Sequence, residues 1–266
     1  MSLCVSVVTP EGIVVAGESR QTQIVAGVNR VGSDSTIKVF QMADTVLAAT
    51  AGLGWLHPQG AAMKNISSLV EDFKPTIPNG SSVREIAGLL WAYFTPLYQQ
   101  HILQHTSDAA AAGNTALSFV VSGFNPESRL GELFLVDIPS TAAPTTALKT
   151  TNNPGAWWIG QVDVVLRILF GYDPRALSLP FVQAAGPAAT TALGGLGYAI
   201  YYNTMTLQDA IDFATGMIQI TITTQKFTAG ITTQLGAVAG VGGPIDVAIV
   251  QPGGKVIWVR RKQLHG

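Results

Sequence analysis

Residues 2–17 read SLCVSVVTPEGIVVAG, two hydrophobic runs separated by Thr9-Pro10-Glu11. The runs Ser2–Val8 and Gly12–Gly17 are rich in β-branched residues, which favour extended backbone. The residues between them have the composition of a turn. The pattern therefore predicts a β-hairpin, with which the fold begins.

Further strands are predicted on both sides of a helical region. They are Thr36–Phe40, Thr45–Ala51, Ala116–Ser122, Gly131–Val136, Ile245–Val250 and Val256–Arg260. Apolar residues at helical spacing predict helices at Pro58–Phe73, Ser82–His105, Val162–Phe170 and Thr206–Gln225. Ser82 and Thr206 are the predicted N-caps of their helices. Residues 184–197, rich in Ala, Gly and Thr, receive no assignment. The order of strands, helices, strands, helices and strands predicts a mixed α/β (α+β) protein.

The composition predicts one domain that associates with other copies. The chain has 266 residues, of which 47% are hydrophobic and only 12% are charged. Its formal net charge is -1, and no basic run marks a surface for nucleic acid or for an anionic membrane. With a mean hydropathy of +0.33, the chain has more apolar surface than a monomer usually buries, so we expect subunit interfaces.

A cytoplasmic location is the expectation from cysteine usage and from the lack of targeting segments. Cys4 is the single cysteine, which excludes an intrachain disulfide and a multi-cysteine zinc site, and we expect it in the core. The N-terminus shows no secretory signal pattern. Residues 176–208 carry no charge, but Pro180 and Pro187 interrupt them, so we expect no membrane span and no membrane partner.

The histidines do not predict a metal site. His101 and His105 are four residues apart, but they lack the glutamate of the His-Glu-x-x-His signature. We expect both on an exposed helix face. His57 and His265 have no partner at a ligand spacing, so the sequence predicts neither a metal nor another cofactor.

Several segments occur in the order found in one known family. They are Ser2, Glu18-Ser19-Arg20-Gln21-Thr22, Lys38-Val39-Phe40-Gln41, Ala51-Gly52-Leu53, Met205-Thr206-Leu207-Gln208-Asp209-Ala210 and Gly243-Pro244-Ile245-Asp246-Val247-Ala248-Ile249. Together they resemble proteasome β subunits and their bacterial relatives, including Anbu-type homologues. The resemblance implies one N-terminal-nucleophile hydrolase domain over residues 1–266, a four-layer αββα sandwich, with an insertion around residues 172–202.

The resemblance also implies a catalytic site at the N-terminus. Removal of Met1, which a small second residue permits, would expose Ser2 as a nucleophile whose own α-amine acts as the base. Lys38 then places a cation beside the hydroxyl, and Glu18 pairs with and orients Lys38. A backbone N–H of Gly160, before a predicted helix, is the expected donor to the oxyanion.

Substrate binding is implied for Arg20, Gln21, Thr22, Thr50 and Gly52. The strand around Gln21 and Thr22 would pair with an extended peptide, while Thr50 would shape the pocket for the residue before the cleaved bond. The implied partners are a peptide or protein substrate and further copies in a homo-oligomeric ring. Whether an ATPase acts with that ring is left open.

Two positions depart from the family pattern. Phe227 stands where active members have an aspartate, and Gln161 stands near a common serine; Thr228 is one candidate for the missing support. Three functions therefore remain open: a peptidase that uses Ser2, a noncatalytic assembly or scaffold protein, and a small-molecule amidase of the same fold.

Overall fold

The chain folds as a mixed α+β protein built on antiparallel sheets. The computed structural model describes residues 2–25, 28–105, 117–140, 142–228 and 238–263. Met1, His265 and the first residue of the predicted strand Ala116–Ser122 lie outside the described residues.

The first five-stranded sheet has the order β12-β1-β2-β13-β14. Its strands are β1 (Leu3–Thr9), β2 (Gly12–Gly17), β12 (Gly155–Gly160), β13 (Asp246–Val250) and β14 (Ile257–Arg260). All neighbouring pairs are antiparallel. The predicted hairpin is confirmed as β1 and β2, and the hydroxyl of Thr9 donates to the carbonyl of Gly12 across the turn at 3.1 Å. Strand β12, with its two tryptophans, was missed by the sequence pattern.

The second five-stranded sheet has the order β11-β10-β9-β6-β5. Its strands are β5 (Val39–Ala43), β6 (Val46–Gly52), β9 (Leu117–Phe124), β10 (Gly131–Ile138) and β11 (Lys149–Thr150). Two hairpins stand apart from this sheet: β3 (Gln21–Val25) with β4 (Val28–Ser33), and β7 (Trp55–Leu56) with β8 (Lys64–Asn65). The residue pattern predicted neither hairpin, although the resemblance implied a strand around Gln21 and Thr22.

At the starts of three helices, the side chains of Asn65, Ser82 and Thr206 satisfy free backbone N–H groups. The described helices are α1 (Ile66–Phe73), α2 (Val83–Gln104), α3 (Asp163–Phe170), α4 (Pro180–Ala184), α5 (Pro187–Gly194) and α6 (Leu207–Phe227). Ser82 and Thr206 form capping boxes with Glu85 and Asp209, so both predicted caps are confirmed. Over the described residues, no helix has the length and apolar character needed to cross a membrane.

The helix predicted for Pro58–Phe73 is wrong over its first half. Gly60 has φ +75°, a backbone conformation that ends regular helix, and the amide of Ala61 donates to the carbonyl of Pro58 in a turn. Helix α1 begins only after Asn65, whose side chain accepts from the amide of Ser68 at 2.8 Å.

The prediction of an exposed histidine face on α2 is also wrong for His101, which is completely buried. Its Nδ1 accepts from the amide of His57 at 3.1 Å, and its ring stacks on His105. Trp55 packs edge-on against both rings. The histidines therefore join the β7 hairpin to the end of α2.

Three clusters of buried side chains make up the core. One contains β1, β2 and β13 residues from the first sheet together with β5, β6, β9 and β10 residues from the second, so the two sheets pack face to face. A second cluster packs the other face of the second sheet against α1 and α2. The third packs the other face of the first sheet against α3 and α6.

The segment between α3 and α6 presents apolar side chains to solvent. Residues 172–202 include α4, α5 and two short 3-10 helices, at Pro174–Ser178 and from Tyr202. Phe181, Tyr198 and Tyr201 are between 71% and 76% exposed. The stretch at 184–197, which the sequence left unassigned, is largely helical because it contains α5.

One hydrogen bond between the two sheets gives a test of their packing. Ser6 on β1 and Ser122 on β9 are both fully buried, and their hydroxyl oxygens lie 3.1 Å apart. Ser6→Ala or Ser122→Ala alone leaves the other buried hydroxyl without this partner and should lower the free energy of unfolding by about 1–3 kcal/mol. The double variant should lose clearly less than the sum.

Urea unfolding of the four proteins measures this coupling, with Ser35→Ala as the control because Ser35 is exposed. The control should change stability by less than about 0.5 kcal/mol. Strictly additive losses for Ser6→Ala and Ser122→Ala would contradict a direct bond between the sheets.

Candidate active site

Ser2 lies immediately before β1 and is 5% exposed. Its carbonyl oxygen accepts a hydrogen bond from the amide of Gln161 at 2.6 Å. The following residue, Leu3, pairs with Gly160 at the end of β12. The backbone of the chain's second residue is therefore fixed by a central strand on one side and by the turn after β12 on the other.

Glu18 follows β2 and is completely buried. One carboxylate oxygen accepts from the amide of Leu3 at 3.2 Å and from the ammonium of Lys38. The other accepts from the amide of Arg20 at 2.6 Å and from the amide of Gly242 at 3.0 Å. One buried carboxylate thus joins β1, the turn after β2, the strand entry at Lys38 and the loop before β13.

Lys38 is 4% exposed and has two acceptors for its ammonium, the carboxylate of Glu18 and the carbonyl of Arg20. Lys38 also lines a cleft together with Ser2.

That cleft is small, with a volume of about 30 Å³, and Ser2 is one of its lining residues. Five of the residues predicted from the resemblance line it besides Ser2 and Lys38: Arg20, Gln21, Thr22, Thr50 and Gly52. The remaining lining residues were not predicted as site residues; they are Thr36, Ile37, Ala51, Leu53, Gly54 and Ile66. The structure therefore brings the predicted nucleophile, cation and binding residues to one place.

Arg20 does not present an unpaired charge to this cleft. Its guanidinium makes a bidentate pair with Asp34, at 2.7 and 2.9 Å, and also donates to the carbonyl of Ala239. The hydrogen bonds from Arg20 hold the pKa of Asp34 below its ordinary value, so this carboxylate stays charged at neutral pH. The pair anchors the loop that carries Gly242 beside Glu18.

The side chains of Gln21 and Thr50 have partners within the protein. The carbonyl oxygen of the Gln21 side chain accepts from the hydroxyl of Thr36 at 3.1 Å. The hydroxyl of Thr50 donates to the carbonyl of Ser118 at 3.2 Å. These bonds fix the cleft wall, and their neutral groups leave Arg20 and Lys38, both already paired, as the charged lining residues.

Two glycines with positive φ flank Ser2 in different ways. Gly160, the predicted oxyanion donor, has φ +98° and lies against the Ser2 carbonyl oxygen, which a Cβ at this position would overlap. Gly52 ends β6 with φ +107° and lines the cleft, whereas Gly160 is not one of the described lining residues. Gly52 therefore borders the cleft itself, whereas Gly160 contacts the backbone of Ser2.

The end of α6 faces this region through Gln225. Its side-chain amide donates to the side-chain oxygen of Gln161 at 2.9 Å and accepts from the amide of Val241 at 2.9 Å. Phe227, where the resemblance predicted a carboxylate in active members, is 76% exposed, and the exposed Thr228 donates its hydroxyl to the carbonyl of Thr224. Gln225, which is half-buried, was missed as a site residue because no local sequence pattern distinguishes it.

Gly242 was also missed as a site residue, although the sequence contained a signal for it. Gly242 and Gly243 are adjacent in a glycine-rich stretch before β13. A Cβ on Gly242 would lie 2.5 Å from the Arg20 guanidinium, so a larger residue there would displace the side chain that pairs with Asp34.

Cys4 lies next to this region but is not a competing nucleophile. Its thiol is buried and donates to the carbonyl of Thr50 at 3.3 Å. Burial raises the pKa of the thiol to about 12. The thiol is therefore neutral at physiological pH, and the thiolate is the form that reacts.

Within the described residues there is no group of three or more His, Cys, Asp or Glu side chains arranged to hold a metal ion. Comparison of the sequence with models of known protein families and with curated proteins found no match.

Gly160→Ala tests how closely β12 holds the N-terminal backbone. The new Cβ would combine a positive φ, at a cost of roughly 1–3 kcal/mol, with overlap of the Ser2 carbonyl oxygen. We expect a loss of stability at the upper end of that range or beyond, and faster hydrogen exchange of the Gln161 amide, which Ser2 accepts from.

Gly80→Ala is the matched control, because Gly80 has φ +78° but a Cβ there would meet nothing within 4 Å. It should cost only the backbone strain and leave exchange near Ser2 unchanged. Equal stability losses for the two variants, measured by chemical denaturation, would show that Gly160 does not constrain Ser2.

Proposed function

We propose that this protein is an N-terminal-nucleophile hydrolase of the proteasome β-subunit type, which cleaves peptide or other amide bonds with Ser2. The observation that carries the proposal is the group formed by Ser2 and Lys38 in one cleft, with Lys38 held from behind by the buried Glu18. A cation fixed beside a serine at the start of a strand has a chemical use as an activator of that serine.

The reaction follows from this arrangement once removal of Met1 gives Ser2 a free α-amine. The amine takes the hydroxyl proton as Oγ attacks the carbonyl carbon of the amide, and it then gives that proton to the leaving nitrogen as the C–N bond breaks. Water hydrolyses the resulting ester and restores the serine. Lys38 favours the negative oxygen formed on Ser2, and a backbone N–H of Gly52 or Gly160 serves the oxyanion.

The packing of the two sheets supports the same proposal. Helices α1 and α2 pack on the outer face of one sheet, and α3 and α6 pack on the outer face of the other. We propose that the chain is one domain with the four-layer αββα sandwich of this hydrolase class, and that residues 172–202 are an insertion in it.

We further propose a cytoplasmic, homo-oligomeric ring that acts on peptides or proteins. The exposed aromatic side chains Phe181, Tyr198 and Tyr201 support self-association, because exposed apolar groups of this size favour burial in an interface. The uncharged stretch 176–208 adds no electrostatic barrier to contact between copies.

A second candidate is a noncatalytic assembly protein with the same fold. It is favoured by Phe227, which is exposed at the end of α6 where the resemblance predicted a carboxylate. Intact-mass measurement of the native protein separates the candidates, since a multimer that quantitatively retains Met1 has no free Ser2 amine. A small-molecule amidase would instead lose Met1 and cleave small amides in preference to peptides.

Ser2→Ala and Lys38→Ala test the mechanism at different costs to the fold. Ser2→Ala keeps a small second residue, so Met1 removal and folding should be unchanged while hydrolysis of a fluorogenic peptide is abolished. Lys38→Ala should reduce turnover by several orders of magnitude. It should also destabilise the protein by roughly 3–5 kcal/mol, because it leaves Glu18 buried without its ion-pair partner.

Lys64→Ala is the control for loss of a lysine, because Lys64 pairs with Asp72 at the exposed surface. It should leave turnover unchanged and alter stability by less than about 1 kcal/mol. Full activity in correctly processed Ser2→Ala, or in protein that retains Met1, would exclude Ser2 as the nucleophile.

The cleft also predicts which peptides are cut. Ile37, Leu53 and Ile66 contribute apolar lining, and the two cations are already paired with Asp34 and Glu18. Peptides with a small or apolar residue before the scissile bond should therefore have a kcat/KM at least about tenfold higher than those with an acidic residue there. A peptide library that strongly favours acidic residues would contradict this pocket.

A further inference from the structure

Two backbone segments hold the two sides of the proposed active site. The amide of Gln161 donates to the Ser2 carbonyl at 2.6 Å, and the amide of Gly242 donates to the Glu18 carboxylate at 3.0 Å. The carbonyl of Gly242 also accepts from the amide of Ser19 at 3.1 Å. A shift of either segment would move the nucleophile relative to the carboxylate that orients its cation.

The side-chain amide of Gln225 bridges these segments. The N–H of Val241 can only donate, so the amide oxygen of Gln225 must face it, at 2.9 Å. The amide nitrogen then faces the side-chain oxygen of Gln161, also at 2.9 Å. The orientation of the Gln225 side-chain amide is thus fixed by its partners. This planar group links Gln161, whose backbone holds Ser2, to Val241, which precedes Gly242.

We propose that Gln225 is a positioning residue for the reaction at Ser2, acting through Gln161 on the nucleophile and through Val241 and Gly242 on Glu18. This inference rests on the proposed function. Gln225 is not among the described residues that line the cleft, so its influence is on the geometry of the reacting groups and not on substrate binding.

Gln225→Met tests the proposal, since methionine has a similar length and lacks both hydrogen-bonding groups. We expect kcat to fall by about ten- to a hundredfold, the scale seen when partners that orient active groups are removed, with KM unchanged. Hydrogen exchange at the amides of Gln161, Val241 and Gly242 should become faster. Gln219→Met is the control, because Gln219 is exposed on the same helix.

Gln225→Glu adds a signature that lost stability would not produce. A protonated carboxyl has one acceptor and one O–H donor, like the amide, whereas a carboxylate has acceptors only. The kcat of this variant relative to the unmodified chain should therefore rise as the pH falls through the titration of the new carboxyl. A constant ratio across that range would overturn the proposal.

The remaining outcomes separate this inference from the function on which it rests. Ser2-dependent turnover that is unchanged in Gln225→Met overturns the positioning role alone, even if the melting temperature falls. If the chain shows no Ser2-dependent turnover, the proposed function fails. The hydrogen-exchange rates then decide whether Gln225 forms the structural bridge. Unchanged exchange at the three amides overturns the bridge, and faster exchange supports it as a link that holds the N-terminal backbone.

Discussion

The buried carboxylate of Glu18 is the constraint on which the site depends. A charged group without solvent is tolerated only when it is paired and hydrogen-bonded. Glu18 has one cation and three backbone amides as donors, from Leu3, Arg20 and Gly242. Each of these partners belongs to a different segment, so satisfying one carboxylate fixes the relative positions of four parts of the chain.

The sheets bring these segments within reach of one another. Strands β1 and β2 are central in the first sheet, and β6 lies beside β5 in the second, so the ends of these strands meet where the sheets pack together. Ser2, Glu18 and Gly52 all stand at strand ends at this edge. The backbone there can leave the regular ladder, which is why glycines with positive φ occur at positions 52 and 160.

How much the sequence predicts depends on whether a signal is local. The hairpin β1–β2 and the caps Ser82 and Thr206 were predicted because hydrophobic alternation and capping chemistry are read within a few residues. Strand β12 was missed because its pairing partner, β1, is about 150 residues distant in sequence. The helix predicted from Pro58 failed because the turn at Gly60 and the pairing of β7 with β8 outweighed the local pattern.

The site divides in the same way. Ser2, Glu18 and Lys38 could be chosen because the segments that contain them occur in the order of a family that the chain resembles. Gln225 could not, because its importance arises only from its contact with Gln161, 64 residues away in sequence. Gly242 stands in a glycine-rich stretch, but its contact with Glu18, 224 residues away, could not be predicted. A neutral amide on a helix has no pattern that distinguishes it from a surface glutamine such as Gln219.

The neutral side-chain amides of Gln161 and Gln225 have an electrostatic consequence for the site. Lys38 is balanced by Glu18, and Arg20 is balanced by Asp34, so the described charges around the cleft occur as two closed pairs. A carboxylate in place of Gln225 would add a further negative charge near Glu18 and weaken the field that Lys38 exerts on Ser2. An amide supplies the same directional constraint through one donor and one acceptor, without altering that field. In the proposed mechanism, uncharged groups at Gln161 and Gln225 hold the backbone of Ser2, and Lys38 is the charge that acts on its hydroxyl.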